Sequence, residues 1–328
     1  MNRVCHMKVA TAEVPRVGGG LGSAPGSSRA EAELQIERIW PGLINRLRDY
    51  LELTKPRITV FVVMSTAAGS FYAGHFSGRG TVFHALLGTA LMASGAAALN
   101  QWYERDTDVK MKRTKLRPVP SGRVSARHAF WLGFAFSIGG FLDLWVGANR
   151  LAAALGMFTL ASYLFVYTPL KRRAPSSTTI GAIPGAMPPL IGFAAAAGML
   201  RLEAWILYGI LFLWQFPHFY AIAWMYREDF ARAGIRMLPV VKPDGKSTAR
   251  RIVLFSLGLL AVSLLPRFFG HAGNLYLVGA LLLGVWFLLV SARAAFNRTR
   301  ARARQLLLAS VIYLPLLYSL LILDRIGF

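Results

Sequence analysis

The chain has 328 residues, of which 37 are Lys or Arg and 15 Asp or Glu, for a formal net charge of +22, and 55% of its positions are apolar. Only 16% are charged, against roughly a quarter in a soluble domain, and the apolar residues fall in blocks of membrane-spanning length. A soluble enzyme, a disordered chain and a disulfide scaffold are excluded; Cys5, the one cysteine, has no partner for a bridge or a thiolate metal cage.

Residues 1–45 contain Gly18-Gly19-Gly20, scattered Ser and Pro, and no apolar run of the kind a signal peptide carries. They read as a flexible cytoplasmic tail. Glu13, Glu31, Glu33 and Glu37 weaken a reading as an organellar targeting segment. Residues 46–328 read as one transmembrane domain. A helix crossing a bilayer needs about 20 mostly apolar residues, because no water there satisfies the backbone. Nine segments qualify: Ile58–Gly74, Val82–Tyr103, His128–Val146, Leu151–Pro169, Ser177–Leu200, Glu203–Met225, Ile252–Pro266, Asn274–Ser291 and Gln305–Leu323. The expected fold is therefore all-α, a polytopic integral membrane protein of nine transmembrane helices. Pro184, Pro188 and Pro189 predict a kink in the fifth.

Apart from Arg79, Arg150, Arg201, Arg267 and Arg325, every Lys and Arg precedes the first span or falls in the connections 2–3, 4–5, 6–7 and 8–9. The positive-inside rule then predicts a cytoplasmic N-terminus and an external C-terminus, and accounts for the basic charge without nucleic acid.

The second span ends in Asn100-x3-Glu104-x3-Asp108. Residues four apart advance about 400° on a helix, so the three line one stripe about 12 Å long, with Asp106 pointing elsewhere while the helix continues. Oxygen ligands in this arrangement suit Mg²⁺, which takes a few carboxylates plus substrate phosphates. Arg113 and Arg117 follow, spaced to hold phosphate oxygens. Acids and bases neutralising one another at a helix end among headgroups would explain Lys110, Lys112 and Lys115, but explains Asn100, one turn deeper, less well.

Asp143 lies toward the far end of the third span and reads as structural or interfacial. On the fourth, Tyr163, Tyr167 and Lys171 recur every four residues. Aromatic faces below a cation can stabilise an allylic cation while the amine holds a leaving diphosphate; interfacial tyrosines are also ordinary belt residues. The sixth span carries His218 and is followed by Glu228, Asp229 and Gly234, a glycine placed to end a helix. Two acidic helix ends on one side predict a two-sided cation clamp around a diphosphate. An unbroken helix would carry His218 and Asp229 on nearly one face. No Walker loop, dinucleotide fingerprint, zinc-ligand pair or serine-nucleophile motif occurs.

Lys55-Pro56-Arg57, the Asn100–Glu104–Asp108 stripe, Met111-x-Arg113-Thr114-x2-Arg117-Pro118, Tyr167-Thr168-x2-Lys171-Arg172, Trp214-Gln215-x-Pro217-His218-Phe219 and Tyr226-Arg227-Glu228-Asp229-x4-Gly234 follow in this order. Together, over roughly residues 50–325, they resemble the UbiA superfamily of intramembrane prenyltransferases, and within it the heme branch. Glu104 stands where the superfamily usually has Asp. Tyr226 and Phe230 stand at its usual second acid pair, so Glu228 and Asp229 must supply any carboxylates there.

The resemblance implies a UbiA-type helical bundle in which farnesyl diphosphate and Mg²⁺ meet heme b as the acceptor substrate. It implies catalytic roles for Asn100, Glu104, Asp108, Tyr163, Tyr167 and His218; diphosphate contacts from Lys55, Arg113, Arg117, Lys171 and Arg172; and metal ligation by Glu104, Asp108, Glu228 and Asp229. It further implies conversion of heme b to heme O, in a bacterial inner membrane with a periplasmic C-terminus (a mitochondrial inner membrane being the alternative), and hand-over to heme A synthase or a heme-copper oxidase. A quinone-type acceptor would share the diphosphate machinery and need no heme. A transporter would place its acids at the midplane rather than at one membrane face.

Overall fold

The structure, a computed structural model, describes residues 44–74 and 78–326. Residues 48–328 form one compact unit. The tail expected over 1–45 lies outside the described residues except at 44 and 45, which belong to a helical stretch over 44–53.

Among the described residues every regular element is a helix: α1 Pro56–Tyr72, α2 Arg79–Asp108, α3 Ala126–Asp143, α4 Arg150–Ala161, α5 Ser177–Gly185, α6 Pro188–Ala197, α7 Leu202–Met225, α8 Arg227–Arg232, α9 Leu238–Val241, α10 Lys246–Phe268, α11 Asn274–Phe296 and α12 Arg300–Ile326. Wide π turns, Leu144–Ala148 and Ser162–Tyr167, extend α3 and α4. Among the described residues eight continuous stretches are long and apolar enough to cross a membrane, so the chain is a multi-pass membrane protein. The first of the nine expected spans, α1, is shorter: its 17 residues reach about 26 Å, somewhat less than a typical hydrocarbon core. α2 runs five residues past its expected end at Tyr103, because the acid stripe continues the same helix.

The expected kink in the fifth span falls at Ala186 and Met187, where regular helix is interrupted between α5 and α6 while both residues stay in the right-handed region. Pro188 and Pro189 have no N–H to return to the preceding turn, yet suit the first positions of a new helix. All of Pro188–Ala196 is buried. The close approach to α1 depends on missing side chains: a Cβ on Gly69 would lie 2.0 Å from the Pro189 carbonyl oxygen, and one on Gly192 1.9 Å from that of Thr66. Ser70 Oγ donates to the Gly192 oxygen at 3.0 Å across this seam. Small residues thus replace hydrophobic burial as the cause of helix association inside lipid.

α2 packs on α3, α7 on α10 and α12, and α11 on both α10 and α12. Phe83, Trp131, Leu142, Val278 and Leu282 are exposed on the outside of the bundle, as apolar side chains facing lipid tails should be. α1 begins, and α2, α4 and α7 end, toward one end of the bundle, where the polar residues collect.

Candidate active site

α2 is unbroken to Asp108, so Asn100, Glu104 and Asp108 share one stripe as their spacing predicts. Asn100 and Asp108 are buried, and Asn100 Nδ2 donates to Glu104 Oε2 at 2.9 Å. Asp106 points outward and pairs with Arg105 at 3.8 Å. From the start of α1, Lys55 Nζ donates to Asn100 Oδ1 at 3.3 Å. Among the described residues Lys55 alone of the non-glycines has a positive φ, 51° with ψ 60°. That left-handed conformation costs about 1–3 kcal/mol and persists only where surrounding contacts enforce it. Burial, and then the Arg117 and Lys171 cations, push the Lys55 ammonium down to about 7.

The turn Ser162–Tyr167 brings the second cation in. Pro169 has no N–H to return to Phe165, the Thr168 N–H reaches back to the Tyr163 carbonyl, and Thr168 Oγ1 donates to the same oxygen at 2.8 Å. Lys171 Nζ then lies 4.5 Å from the Tyr167 ring centre and 5.8 Å from that of Tyr163. It donates to Glu104 Oε1 and Oε2 at 3.0 and 3.2 Å. Burial alone would lower the Lys171 pKa, but Tyr167 and the Glu104 carboxylate hold it raised.

The connection after α2 folds back over the stripe. Arg117 Nη1 donates to Asp108 Oδ2 at 2.7 Å, and Thr114 Oγ1 to the Asp108 carbonyl oxygen at 2.9 Å. The Arg113 N–H donates to Asp229 Oδ2 at 3.3 Å, while its guanidinium lies over Tyr226 at 5.2 Å and Phe230 at 5.9 Å. Arg232 pairs with the other oxygen of Asp229. The Arg236 N–H donates to the Lys171 carbonyl oxygen at 2.9 Å, tying the α8 connection to the end of α4. Three carboxylates and five cations (Lys55, Arg113, Arg117, Lys171, Arg232) therefore meet at one end of the bundle. The cation surplus suits an anionic group such as a diphosphate.

The structure leaves some expected residues out of this cluster. Glu228 and Arg172 are exposed, and among the described residues no hydrogen bond or ion pair holds either side chain. Of the four expected carboxylates, Glu104, Asp108 and Asp229 lie in the cluster and Glu228 lies outside it. The helix carrying His218 stops at Met225, with Tyr226 at φ −115° and ψ 23°, so His218 and Asp229 do not share a helix face. His218 instead turns toward α12: its Nδ1 is 2.8 Å from Ser310 Oγ and its ring stacks on Trp214 at 4.8 Å. Asp143 pairs with His84 at 2.8 Å, apart from both acid motifs. Gly234 ends α8 with φ +69°, as expected. Sequence reasoning missed Arg232, although its spacing from Asp229 on one helix was visible, and Ser310, for which no sequence signal existed.

Among the described residues no three His, Cys, Asp or Glu side chains converge as a metal-binding group. The acidic side chains here are oxygen donors, each already held by a cation of this chain. Such a donor set fits Mg²⁺ bound mainly through phosphate oxygens, with one or two carboxylates completing its shell.

Residues 62–319 match the UbiA prenyltransferase family. The chain belongs to that family. Among UbiA relatives, the protoheme IX farnesyltransferase of Solibacter usitatus (strain Ellin6076) is 60% identical over 291 residues, spanning 86% of this chain and 100% of that protein. A solved digeranylgeranylglyceryl phosphate synthase superposes with a TM-score of 0.70 at 17% identity, over 87% of this chain and 100% of that one. A UbiA homologue from Archaeoglobus fulgidus bound to GPP and Mg²⁺ does so with a TM-score of 0.59 at 16% identity, over 83% of this chain and 99% of that one. At such identities the two structures establish a shared fold.

Proposed function

We propose that this UbiA-family enzyme converts heme b to heme O, transferring the farnesyl group of farnesyl diphosphate to a heme vinyl group. The observation that carries the reading is the ring of cations around Glu104, Asp108 and Asp229 at the end of a membrane bundle, in a chain 60% identical to a protoheme IX farnesyltransferase. The bond from farnesyl C1 to the diphosphate oxygen breaks, and C1 joins the terminal vinyl carbon. Water adds to the carbon next to the porphyrin and loses a proton, leaving a hydroxyethylfarnesyl side chain, diphosphate and a proton.

Lys171, Lys55, Arg113 and Arg117 hold the departing diphosphate oxygens, offsetting charge as it develops there. Glu104, Asp108 and Asp229 are the residues that would hold Mg²⁺, which supplies further charge neutralisation on the diphosphate. Asn100 positions Glu104. The Tyr167 and Tyr163 faces beside Lys171 stabilise positive charge on the allylic carbons, and the surrounding helices keep water away until the vinyl group has reacted. Arg172 and Glu228 act only once substrate draws them inward. His218, off the diphosphate cluster, serves the heme side. The membrane holds both substrates: at about 0.8 kcal/mol per buried methylene, a farnesyl chain gains on the order of 10 kcal/mol. The basic connections orient this end of the bundle toward the cytoplasm of a bacterial inner membrane, and heme O passes on to heme A synthase or a heme-copper oxidase.

Incubating the purified full chain with heme b, farnesyl diphosphate and Mg²⁺ and identifying the pigment by mass tests the proposal. Heme O with release of diphosphate is expected. Prenylation of a quinone precursor with heme b left unchanged would overturn it.

A further inference from the structure

We infer that Ser310 is a positioning residue for the heme side of the reaction: it fixes His218 in the tautomer that carries hydrogen on Nδ1 and leaves a lone pair on Nε2. The inference rests on the proposed heme-side role of His218. A serine hydroxyl has a single hydrogen, and that of Ser310 is committed to the Leu307 carbonyl oxygen at 2.6 Å. With that hydrogen assigned to the shorter Leu307 contact, the same Oγ, 2.8 Å from His218 Nδ1, accepts there and Nδ1 donates. In neutral imidazole the other nitrogen is then the bare one.

Trp214 makes this arrangement rigid from two directions. Its ring stacks on the imidazole at 4.8 Å with 24° between planes, and its Nε1 donates to the Ser310 carbonyl oxygen at 2.8 Å. Ser310 and Trp214 are buried, whereas His218 is only part-buried and among the described residues no hydrogen bond is made by its Nε2. Two side chains thus hold the closed edge of the imidazole and leave its Nε2 edge free. A bare Nε2 is what heme b requires of a neutral histidine, either as an iron ligand or as the acceptor of the proton released when water adds. The Nε2–H tautomer would offer neither.

The test uses full-length protein carrying ¹⁵N-histidine in lipid bilayers, with His218→Ala identifying which of the signals from the six histidines belong to this residue. Wild type and Ser310→Thr are expected to show a protonated Nδ1 and an unprotonated Nε2, and Ser310→Ala a mixture of tautomers. Loss of one such hydrogen bond should lower kcat/KM for heme roughly three- to tenfold in Ser310→Ala, with KM for farnesyl diphosphate unchanged and Ser310→Thr restoring the loss. The nitrogen signals decide the tautomer whatever the turnover, so a poorly folded variant does not blunt the test. A proton on Nε2 in the wild-type protein overturns the inference, as does an Ser310→Ala variant with wild-type signals and wild-type kcat/KM for heme. If His218→Ala makes heme O at the wild-type rate, the heme-side reading of His218 falls and the role of Ser310 falls with it. If His218→Ala is inactive while Ser310→Ala is silent, only the role of Ser310 falls.

Discussion

Lys171 Nζ lies 3.0 and 3.2 Å from the two carboxylate oxygens of Glu104, so that one ammonium spans both oxygens of an acid on a different helix. Neither partner is free to titrate or move without exposing the other. Replacing Lys171 with Gln removes the cation while keeping a hydrogen-bonding side chain. A charge-assisted contact contributes about 1.5–3 kcal/mol, so KM for farnesyl diphosphate should rise roughly tenfold to hundredfold, with KM for heme little changed. Steady-state kinetics in each substrate check this. A rise confined to heme would reassign Lys171 to a heme carboxylate.

Removing the acids tests the other half of the cluster. Glu104→Ala leaves Lys171 beside Lys55 with no carboxylate between them, and Asp108→Ala leaves Arg117 unpaired. Turnover in either variant should fall roughly a hundredfold or more, while membrane insertion, which depends on the apolar spans, persists. Near-normal activity with unaltered Mg²⁺ dependence would remove the stripe from the active site.

Lys55 introduces a pH dependence. With its pKa lowered to about 7 by burial and then by Arg117 and Lys171, it is cationic below that pH and neutral above it in the free enzyme. Its attraction for diphosphate is therefore present in acid and lost as pH rises through about 7. The kcat/KM profile for farnesyl diphosphate, which reports groups of the free enzyme, should carry a falling limb there. Lys55→Arg, with a guanidinium that stays protonated, should abolish that limb, and Lys55→Gln should lower kcat/KM throughout with no limb at all. A profile identical in Lys55→Gln and wild type would show that Lys55 does not contact the diphosphate.

Gly181 sets where Tyr167 sits. A Cβ there would lie 2.4 Å from the Tyr167 ring, so Gly181→Ala must push the ring out of place under Lys171. Overpacking of this kind costs about 1–3 kcal/mol. A fall in kcat of roughly tenfold is expected, together with a lower thermal midpoint. Wild-type kcat would show that the Tyr167 face takes no part in catalysis.

Most of the fold was legible because lipid imposes one strong rule, the length of an apolar run, and each expected span coincides with a helix or, in the fifth, with two. The helix ends were less legible, since α2, α10, α11 and α12 all continue into polar residues that hydropathy cannot assign to helix or loop. The Asn100–Glu104–Asp108 stripe was readable because a single unbroken helix carries it. Glu228 and Arg172 lie outside the cluster, and spacing alone does not say which of several neighbours beside a helix end faces inward. The same limit applied to His218: extrapolating α7 through Tyr226 aligned it with Asp229, whereas the break there and a hydroxyl contributed by α12 place it elsewhere.

The carboxylates of Glu104, Asp108 and Asp229 are each matched by a lysine or arginine of this chain. If the cluster binds metal and diphosphate as proposed, binding is an exchange of partners: the cations turn to phosphate oxygens only if something else takes up the carboxylates, and Mg²⁺ alone would find its ligands occupied. The two should consequently assist one another, each raising the affinity for the other by the same factor. Such reciprocity would keep each carboxylate paired until metal and diphosphate arrive together, so that neither arrival alone strands an acid at the membrane boundary.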